Sequence, residues 1–447
     1  MPKNDYGIKK GEVLEGSGLL IKKKNNNLDG RVNHLITHMH NNLAYKNASG
    51  SSKVDDYKNR YIEYRNNWYQ QPKLCIKDRL NENMMKKKGI IPLSIDIETA
   101  AVCDLACPFC FREYIATPDK LINSEFCFEL IDQAAELGVP SIKFNWRGEP
   151  LLHPKLPEFI AYAKKRGILE TIINTNATTL TKEKSLQLIN AGLDFMIYSF
   201  DGGTKESYEK MRPGRFKENS FKKVYENIRR FHSIKKETGS DRPYTKIQMI
   251  MMEETYKEKN KFFSLFSDIV DDVTVTQYTE RGGNISDIDD ETRVEYEDAL
   301  NKHSLPDGTP YMRGPNGKLY ISRNRKPCEQ PFQRLLITYE GRVGMCCFDW
   351  GAMHPIGYVK EKAFSNKDEY KTIVEKAQNS KNGFELLKEV EMPKTFNKPP
   401  KLVQSIKDIW YGEEIGKVRK KHLAGKVNSV AICKNCTFKD TYVWEAP

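Results

Sequence analysis

Three cysteines lie close together in the sequence, at a spacing suited to an iron–sulfur cluster. Cys103, Cys107 and Cys110 form a C-x3-C-x2-C array directly after the strand-like run 93–98. Three thiolates bind three irons of a [4Fe–4S] cube and leave the fourth iron open, whereas a cluster that only carries electrons takes four cysteines. Because an open iron can chelate a small molecule, the array predicts a catalytic cluster.

Two other interpretations of these cysteines compete with the cluster. Part of a zinc site is one, but the three-cysteine C-x3-C-x2-C array is not the simple C-x2-C pair that is usual for zinc. Small buried hydrophobic residues are the other, but Asp104, Pro108 and Arg112 do not suit a core helix.

Composition and charge narrow the class of protein. The chain has 447 residues, 39% of them hydrophobic, which is enough for two or three domains. No apolar run reaches the ~18 residues of a membrane span, and the segment 1–5 lacks the apolar region of a secretory signal. We therefore expect a soluble cytoplasmic protein, in which ten cysteines more often ligate metal than form disulfides. The net charge of +12 is better explained by solvated lysines than by a nucleic-acid surface.

The middle of the chain alternates strand-like and helix-like segments, which is typical of βα units. Strands are predicted at 93–99, 141–146, 171–176, 195–200, 245–252 and 273–278. Amphipathic helices are predicted at 124–137 (with Ser124 as N-cap), 155–166, 181–191, 218–237 and 257–269. The predicted fold class is α/β: a partial (β/α)6 parallel barrel followed by a small α+β domain. In such barrels the chemistry lies at the C-terminal ends of the strands.

The segments outside the barrel predict the domain boundaries. We expect a flexible arm over 1–55, a helical lead-in over 56–90, the barrel over 91–280, and a linker with the second domain over 281–447. Within the last part, 328–350 predicts a β-hairpin, 360–405 a Lys/Asn/Pro-rich insertion, and 405–424 a helix.

Further residues at the predicted strand ends resemble the radical S-adenosylmethionine (radical SAM) superfamily over about residues 90–280. The matching positions are Phe109, Arg147-Gly148-Glu149-Pro150, Asn174-Thr175-Asn176, Ser199-Phe200-Asp201-Gly202 and Arg212. In that family the open iron binds the amino and carboxylate groups of S-adenosylmethionine. Its reductive cleavage gives a 5′-deoxyadenosyl radical, which abstracts a substrate hydrogen.

The resemblance implies a role for each matched residue. The backbone of Phe109 would meet adenine, and Gly148 and Glu149 would hold the methionine amino group. Asn174 and Asn176 match the end of the family's third strand, where Ala177 replaces a glycine, so a tight left-handed turn is not expected there. Ser199 would hydrogen-bond the cofactor, Asp201 would face cofactor or substrate, and Arg212 would pair with the methionine carboxylate.

A second cysteine set lies in the C-terminal part of the chain. Cys328 and Cys346 flank Gly341 in a C-x12-G-x4-C pattern, and Cys433 and Cys436 form a C-x2-C pair. These spacings resemble the SPASM domain, or its shorter twitch form. The resemblance implies one auxiliary [4Fe–4S] cluster held by these four cysteines, although a structural zinc site has the same ligands.

Four ligands leave no open iron, so the auxiliary cluster would move an electron. A substrate radical that loses an electron to it and a proton to a base is oxidised, whereas one that gains a hydrogen atom from a thiol is epimerised. Cys347 is a candidate hydrogen donor, with a substitute cluster ligand or a small buried residue as the alternatives. Tyr278 and Asp349 are candidate proton acceptors.

Our first hypothesis is therefore a dehydrogenase or epimerase that acts on a small, sugar-type molecule and receives electrons from a flavodoxin- or ferredoxin-like donor. The second is a maturase that modifies a ribosomally made peptide. The third is a zinc-stabilised nucleic-acid-binding protein without catalysis.

Overall fold

The computed structural model describes most of the predicted barrel and two stretches of the C-terminal part. The described residues are 21–22, 51–110, 112, 117–252, 255, 257–277, 298, 311–313, 319–350, 352, 354–360, 403–434, 436 and 441–445. Most of the predicted arm and insertion, and Tyr278, therefore lie outside the described residues.

Thirteen strands and eleven α-helices are named among the described residues. The strands are β1 (Ile21–Lys22), β2 (Ser94–Ile97), β3 (Ser141–Lys143), β4 (Glu170–Thr175), β5 (Phe195–Ser199), β6 (Tyr244–Met251), β7 (Asp272–Gln277), β8 (Tyr311–Arg313), β9 (Leu319–Arg325), β10 (Arg334–Ile337), β11 (Arg342–Gly344), β12 (Gly357–Tyr358) and β13 (Tyr442–Glu445). The helices are α1 (Ser51–Lys77), α2 (Glu82–Lys87), α3 (Ser124–Leu137), α4 (Leu156–Lys165), α5 (Lys182–Asn190), α6 (Lys205–Met211), α7 (Phe221–Glu237), α8 (Lys259–Phe266), α9 (Ile406–Trp410), α10 (Glu413–Leu423) and α11 (Ala431–Lys434).

The main sheet is open and mostly parallel. Its strand order is β1-β7-β6-β5-β4-β3-β2-β10-β11-β12, and the neighbouring strands β2 to β7 pair in parallel. The order of the six predicted strands and the helices between them give the α/β class expected from the sequence, as a partial rather than a closed barrel.

The two faces of this sheet differ in burial. One face packs against the helices and carries fully buried apolar residues such as Ile142, Ile173 and Met196. The residues between them along each strand lie on the other face, here called the inner face, because successive side chains of a strand point to opposite sides. Its half-buried residues are Lys143, Ile172, Asn174, Ile197, Ser199, Lys246 and Gln248.

The predicted hairpin extends the barrel sheet, which the sequence did not indicate. β10 pairs in parallel with β2, from Arg334 beside Ser94 to Ile337 beside Ile97, and β11 returns antiparallel to β10. The C-terminal part is thus joined to the barrel by a backbone ladder. A separate three-stranded sheet has the order β13-β9-β8. Its strand β9 ends just before Cys328, and β13 begins just after Cys436.

The predicted lead-in helix packs against the N-terminal end of β4. Tyr61 and Tyr64 of α1 are buried, and their hydroxyls donate hydrogen bonds of 2.8 and 3.0 Å to the carboxylate of Glu170. The spacing of these aromatic residues correctly predicts a helix that enters the core. α1 begins at Ser51, and β1, within the segment predicted as an arm, pairs with β7.

The helices differ from the prediction at three points. The helix predicted over 405–424 is two helices, α9 and α10, because the chain turns at Gly412, where a Cβ would lie 2.7 Å from the carbonyl oxygen of Asp408. α6 was missed; Thr204 and Ser207 form a capping box at its start. The N-cap of α3 is Asn123 instead of Ser124.

All ten cysteines lie among the described residues, and none of them forms a disulfide. Within the described ranges, no helix is long and apolar enough to span a membrane.

Trp410 of α9 fixes the C-terminal helices to the barrel core. Its ring is fully buried, its indole N–H donates a 2.8 Å hydrogen bond to the carbonyl of Ile90, and the Arg419 guanidinium lies 4.3 Å from the ring centre. Trp410→Ala should therefore lower the free energy of unfolding by about 3–5 kcal/mol, as measured by urea denaturation. Phe216→Ala is the control, because that ring is 63% exposed and its loss should change stability by about 0.5 kcal/mol or less. Equal losses would contradict this role of Trp410.

Candidate active site

Most of the predicted cofactor residues come together at the C-terminal edge of the parallel sheet. The cysteine loop follows β2, Gly148 and Glu149 follow β3, Asn176 follows β4, and Asp201 follows β5. Since the carboxyl ends of parallel strands meet at one edge, four separate motifs form one site.

Backbone and side-chain contacts hold the cysteine loop in place. The N–H of Ala106 donates to the carbonyl of Pro213 over 2.9 Å, and the N–H of Arg215 donates to that of Asp104 over 2.8 Å. The Asp104 carboxylate accepts hydrogen bonds from the Asn176 amide (2.8 Å) and the Thr178 hydroxyl (2.5 Å). Asp104 and Thr178 were missed from sequence, although Asp104 stands next to the first cysteine.

The three thiols of this loop lie in one electrostatic environment. Burial, and then the Glu149 carboxylate, raise the pKa of Cys103 well above its usual range, and Cys107 contributes. Burial raises the pKa of Cys107 to about 12, opposed by the Arg212 guanidinium and reinforced by Cys110. Buried thiols of this kind become thiolates when iron supplies the compensating positive charge, so the loop fits a cluster.

Gly148 is required by the close approach of two backbones. Its φ is +66°, and a Cβ would lie 2.2 Å from the carbonyl oxygen of Ala100 and 2.5 Å from that of Val102. The next N–H, of Glu149, donates to Val102 over 2.8 Å. The Gly-Glu turn is therefore held directly against the cysteine loop.

The Glu149 carboxylate is buried and anchored by β4. It accepts hydrogen bonds from the Thr175 hydroxyl and the Asn176 N–H, both 2.7 Å, and from the Leu151 N–H at 3.0 Å. Burial, with the Asp104 carboxylate, raises the pKa of Glu149 to about 7, although these three hydrogen bonds oppose the shift. A cationic amino group beside it would stabilise the carboxylate, which suits the predicted ligand.

Arg147 lies directly before the Gly-Glu turn and is tied to β2 by an ion pair. Its side chain is buried and makes a two-point ion pair with Glu98, including an NH2–Oε2 contact of 2.8 Å. The same Glu98 oxygen accepts the N–H of Tyr339, in the turn between β10 and β11, over 3.2 Å. Glu98 was also missed from sequence; it links the ends of β2 and β3 to the C-terminal hairpin.

The expectation for Ala177 was wrong. Its φ is +58°, so the chain does make a left-handed turn there without a glycine. The neighbouring structure enforces this conformation: the Ala177 N–H donates to the Thr175 hydroxyl, and the Asn227 amide donates to the carbonyls of Ala177 and Thr178. Tertiary hydrogen bonds thus overcome the ~1–2 kcal/mol preference against this region for alanine.

Asp201 and Arg212 form a buried ion pair. Arg212 contacts one Asp201 oxygen through Nε at 2.8 Å and NH2 at 2.5 Å, while the other oxygen accepts the Ile250 N–H over 2.6 Å. The guanidinium lies 5.9 Å from the ring centre of Phe109. The structure therefore gives Arg212 an internal carboxylate partner, and its pairing with the cofactor carboxylate stays a prediction.

Asn174 and Ser199 lie on the inner face, below this edge. Both are half-buried. The Asn174 Oδ1 atom is buried and accepts no hydrogen bond from the described part of the chain. A buried acceptor without a partner is unfavourable, so it favours a bound donor at this position.

The second cysteine set also comes together. Cys328, Cys346, Cys433 and Cys436 line one cavity with Met345 and His422. Burial raises the pKa of Cys433 to about 12, and the neighbouring Cys436 adds to the shift. No three Cys, His, Asp or Glu side chains of the described ranges converge as ligands of one metal ion would. The four cysteines of this cavity are a ligand set that suits an auxiliary cluster or a zinc ion.

His422, missed from sequence, contacts two of these cysteines. It is fully buried at the end of α10; its Nδ1 accepts the Cys328 N–H over 3.1 Å, and its Nε2 lies 3.5 Å from the Cys433 sulfur. Burial, with the nearby Arg325 guanidinium, lowers the pKa of His422 to about 4. The ring is therefore neutral.

The predicted acid–base residues are placed only in part. Cys347 packs against Trp146, Leu336 and Ala352, between the hairpin and the barrel. Asp349 is buried, and its carboxylate accepts the His354 N–H over 3.1 and 3.2 Å.

The substitution Gly148→Ala should remove the barrel cluster, because the added methyl group cannot fit against the cysteine loop. We expect a loss of about four irons per chain in anaerobically reconstituted protein, measured by iron and sulfide analysis. Gly167→Ala is the matched control: Gly167 also has a positive φ, +90°, but a Cβ there meets nothing within 4 Å. Full iron in both variants would show that the close approach is not needed for cluster binding.

Family profiles match both halves of the chain. Residues 97–265 match the radical SAM superfamily, and residues 328–383 match SPASM, an iron–sulfur cluster-binding domain. These matches confirm the resemblance seen in the sequence, and they imply S-adenosylmethionine, a [4Fe–4S] cluster and auxiliary iron–sulfur ligation. Cys433 and Cys436 lie beyond the second matched range, so their link to it is the shared cavity.

Curated relatives are similar over little more than a quarter of this chain. The chain is 33% identical over 128 residues to a GTP 3′,8-cyclase of Chlorobaculum tepidum, covering 28% of this chain and 38% of that protein. It is 32% identical over 121 residues to a PqqA peptide cyclase of Granulibacter bethesdensis, covering 27% and 32%. The match therefore spans less than half the length of either relative. Among solved structures, Streptococcus suis SuiB bound to precursor peptide SuiA aligns with a TM-score of 0.47 at 15% identity, over 75% of this chain and 68% of that one.

Proposed function

We propose that this chain, which carries a radical SAM domain followed by a SPASM iron–sulfur domain, oxidises a hydroxyl-rich small molecule of the sugar type. When bound, S-adenosylmethionine and the barrel cluster supply a 5′-deoxyadenosyl radical that takes a hydrogen atom from the substrate. A flavodoxin- or ferredoxin-like protein is the proposed electron donor, and the cytoplasm is the expected location.

The polar inner face is the observation that carries the substrate class. Asn174, Ser199 and Gln248 are half-buried on it, beside the lysines Lys143 and Lys246. Amide and hydroxyl groups both donate and accept hydrogen bonds, so together they complement a ligand with several hydroxyl groups. Gly148 and Glu149 would orient the cofactor at the edge above.

The auxiliary site supports oxidation. Its four cysteines line one cavity, so a cluster there would have every iron ligated and would accept an electron without binding substrate. Asp349 is the proposed proton acceptor, with Tyr278 as an alternative. Asp349 and Trp146 both lie close to Gly344, since a Cβ added there would be 3.7 Å from the Asp349 carboxylate and 3.7 Å from the Trp146 ring. Asp349 is therefore near the apolar side chains that pack against Cys347.

The position of Cys347 favours a second candidate, epimerisation. The thiol packs with Trp146 and Leu336, and Trp146 stands next to the cofactor turn in the sequence, so we propose that it could reach a substrate radical as a hydrogen donor. The relationship to a PqqA peptide cyclase also keeps a peptide substrate as an alternative. Because the chain matches a radical SAM domain and an iron–sulfur domain, we no longer favour a zinc-stabilised nucleic-acid-binding protein.

Iron content separates the two sites. Wild type should hold about eight irons, and both Cys103/Cys107/Cys110→Ala and Cys433/Cys436→Ala should hold about four. Cys127→Ala is the control, because Cys127 is fully buried among apolar residues of α3 and should retain all the iron. Loss of all iron in the barrel variant would contradict an auxiliary cluster.

Turnover then separates oxidation from epimerisation. With a panel of nucleotide-linked sugars and a set of ribosomally made precursor peptides, Cys433→Ala should lose product by more than about tenfold while it still forms 5′-deoxyadenosine. Cys347→Ser should retain turnover and give a product two mass units lighter than its substrate. If product in D2O carries deuterium, and Cys347→Ser does not form it, epimerisation replaces oxidation. Turnover of peptides alone would overturn the sugar-type substrate.

A further inference from the structure

His422 lies in the auxiliary site, although the four cysteines already supply all the ligands that a cluster needs. The ring joins two segments that carry cysteines: Cys328 lies 94 residues before it, and Cys433 lies 11 residues after it. It is fully buried and reached by no solvent. The imidazole is thus buried against two cysteines and is not needed as a fifth ligand, which indicates another role.

The hydrogen bonds fix where the ring carries its proton. Nδ1 accepts the Cys328 N–H over 3.1 Å, so the proton of the neutral ring is on Nε2. Nε2 lies 3.5 Å from the Cys433 sulfur, within the range of an N–H···S hydrogen bond. Cys328 thus orients the ring as a donor toward Cys433.

We infer that His422 raises the reduction potential of the auxiliary cluster by donating a hydrogen bond to the Cys433 sulfur. Reduction adds negative charge, part of which resides on the ligand sulfurs. A donor held against one sulfur stabilises the reduced state more than the oxidised state. The cluster therefore becomes a better electron acceptor, which deepens the proposed oxidation and rests on it.

The other groups near Cys433 act differently. Arg325 donates to the Cys433 carbonyl oxygen and, over 2.9 Å, to Asn428, so it contacts backbone and amide oxygens. The Phe348 N–H donates to the Cys346 sulfur over 3.4 Å, but no side-chain substitution removes it. His422 is thus a positioning residue whose donor can be removed selectively.

Two substitutions separate the two ring nitrogens. His422→Asn keeps an acceptor near Nδ1 and loses the donor at Nε2, whereas His422→Gln keeps a donor near Nε2. Both are made in full-length Cys103/Cys107/Cys110→Ala protein, so that the auxiliary cluster alone is titrated by EPR against redox mediators. His153→Phe is the control, because His153 is also buried and its ring bonds the Ile122 carbonyl and the Lys155 N–H, away from the cysteines.

We expect His422→Asn to weaken reduction about tenfold, which lowers the midpoint potential by about 59 mV for a one-electron couple. His422→Gln and His153→Phe should stay near the parent value. Equal potentials for the Asn and Gln variants would overturn the inference. If the Asn variant holds no iron, His422→Phe is titrated in its place, with the same expected decrease in potential. Loss of iron in both variants would mean that His422 is needed to retain the cluster, and it would also overturn the inference. A parent protein without iron would instead overturn the auxiliary cluster, and so the proposed function.

Discussion

The parallel pairing of β2 with β10 is the interaction on which the arrangement of the two sites depends. β2 leads into the barrel cysteine loop, whereas β10 turns back through β11 toward Cys346. The two cysteine sets therefore lie at opposite ends of the same strand pair, with Asp96 and Arg334 between them at 3.5 Å. Four residues of strand span about 13 Å. The strand pair therefore separates its own two ends by about this length.

A buried ion pair lies at the C-terminal end of the β2–β10 strand pair. Glu98 and Arg147 are both removed from water, and Glu98 also accepts the Tyr339 N–H of the hairpin turn. Removing one member of such a pair leaves a buried charge, which is strongly unfavourable. The fold therefore couples the cofactor turn after β3 to the position of the C-terminal hairpin, so neither can move alone.

The sequence was informative where chemistry imposes residue type. The cysteine spacings, the Gly-Glu turn and the alternation of strands and helices predicted the two iron–sulfur domains and the class of fold, because few residues bind iron or tolerate the approach at Gly148. Long-range partners were not predictable. Glu98 and His422 have ordinary local surroundings in the sequence, and their roles come from segments far along the chain. Ala177 shows the converse: local preference argued against its turn, and hydrogen bonds from Asn227 decided otherwise.

The position of β10 also has a consequence for biosynthesis. Asp96 and Arg334 are 238 residues apart, so β2 leaves the ribosome as an unpaired sheet edge long before its neighbour is made. At about 5–20 residues per second, that interval is roughly 10–50 s. During this time the edge can pair with other chains, while the barrel cysteines beyond it stay accessible to the machinery that delivers iron and sulfide. Slow translation of the C-terminal half would thus favour both cluster loading and aggregation of the nascent chain.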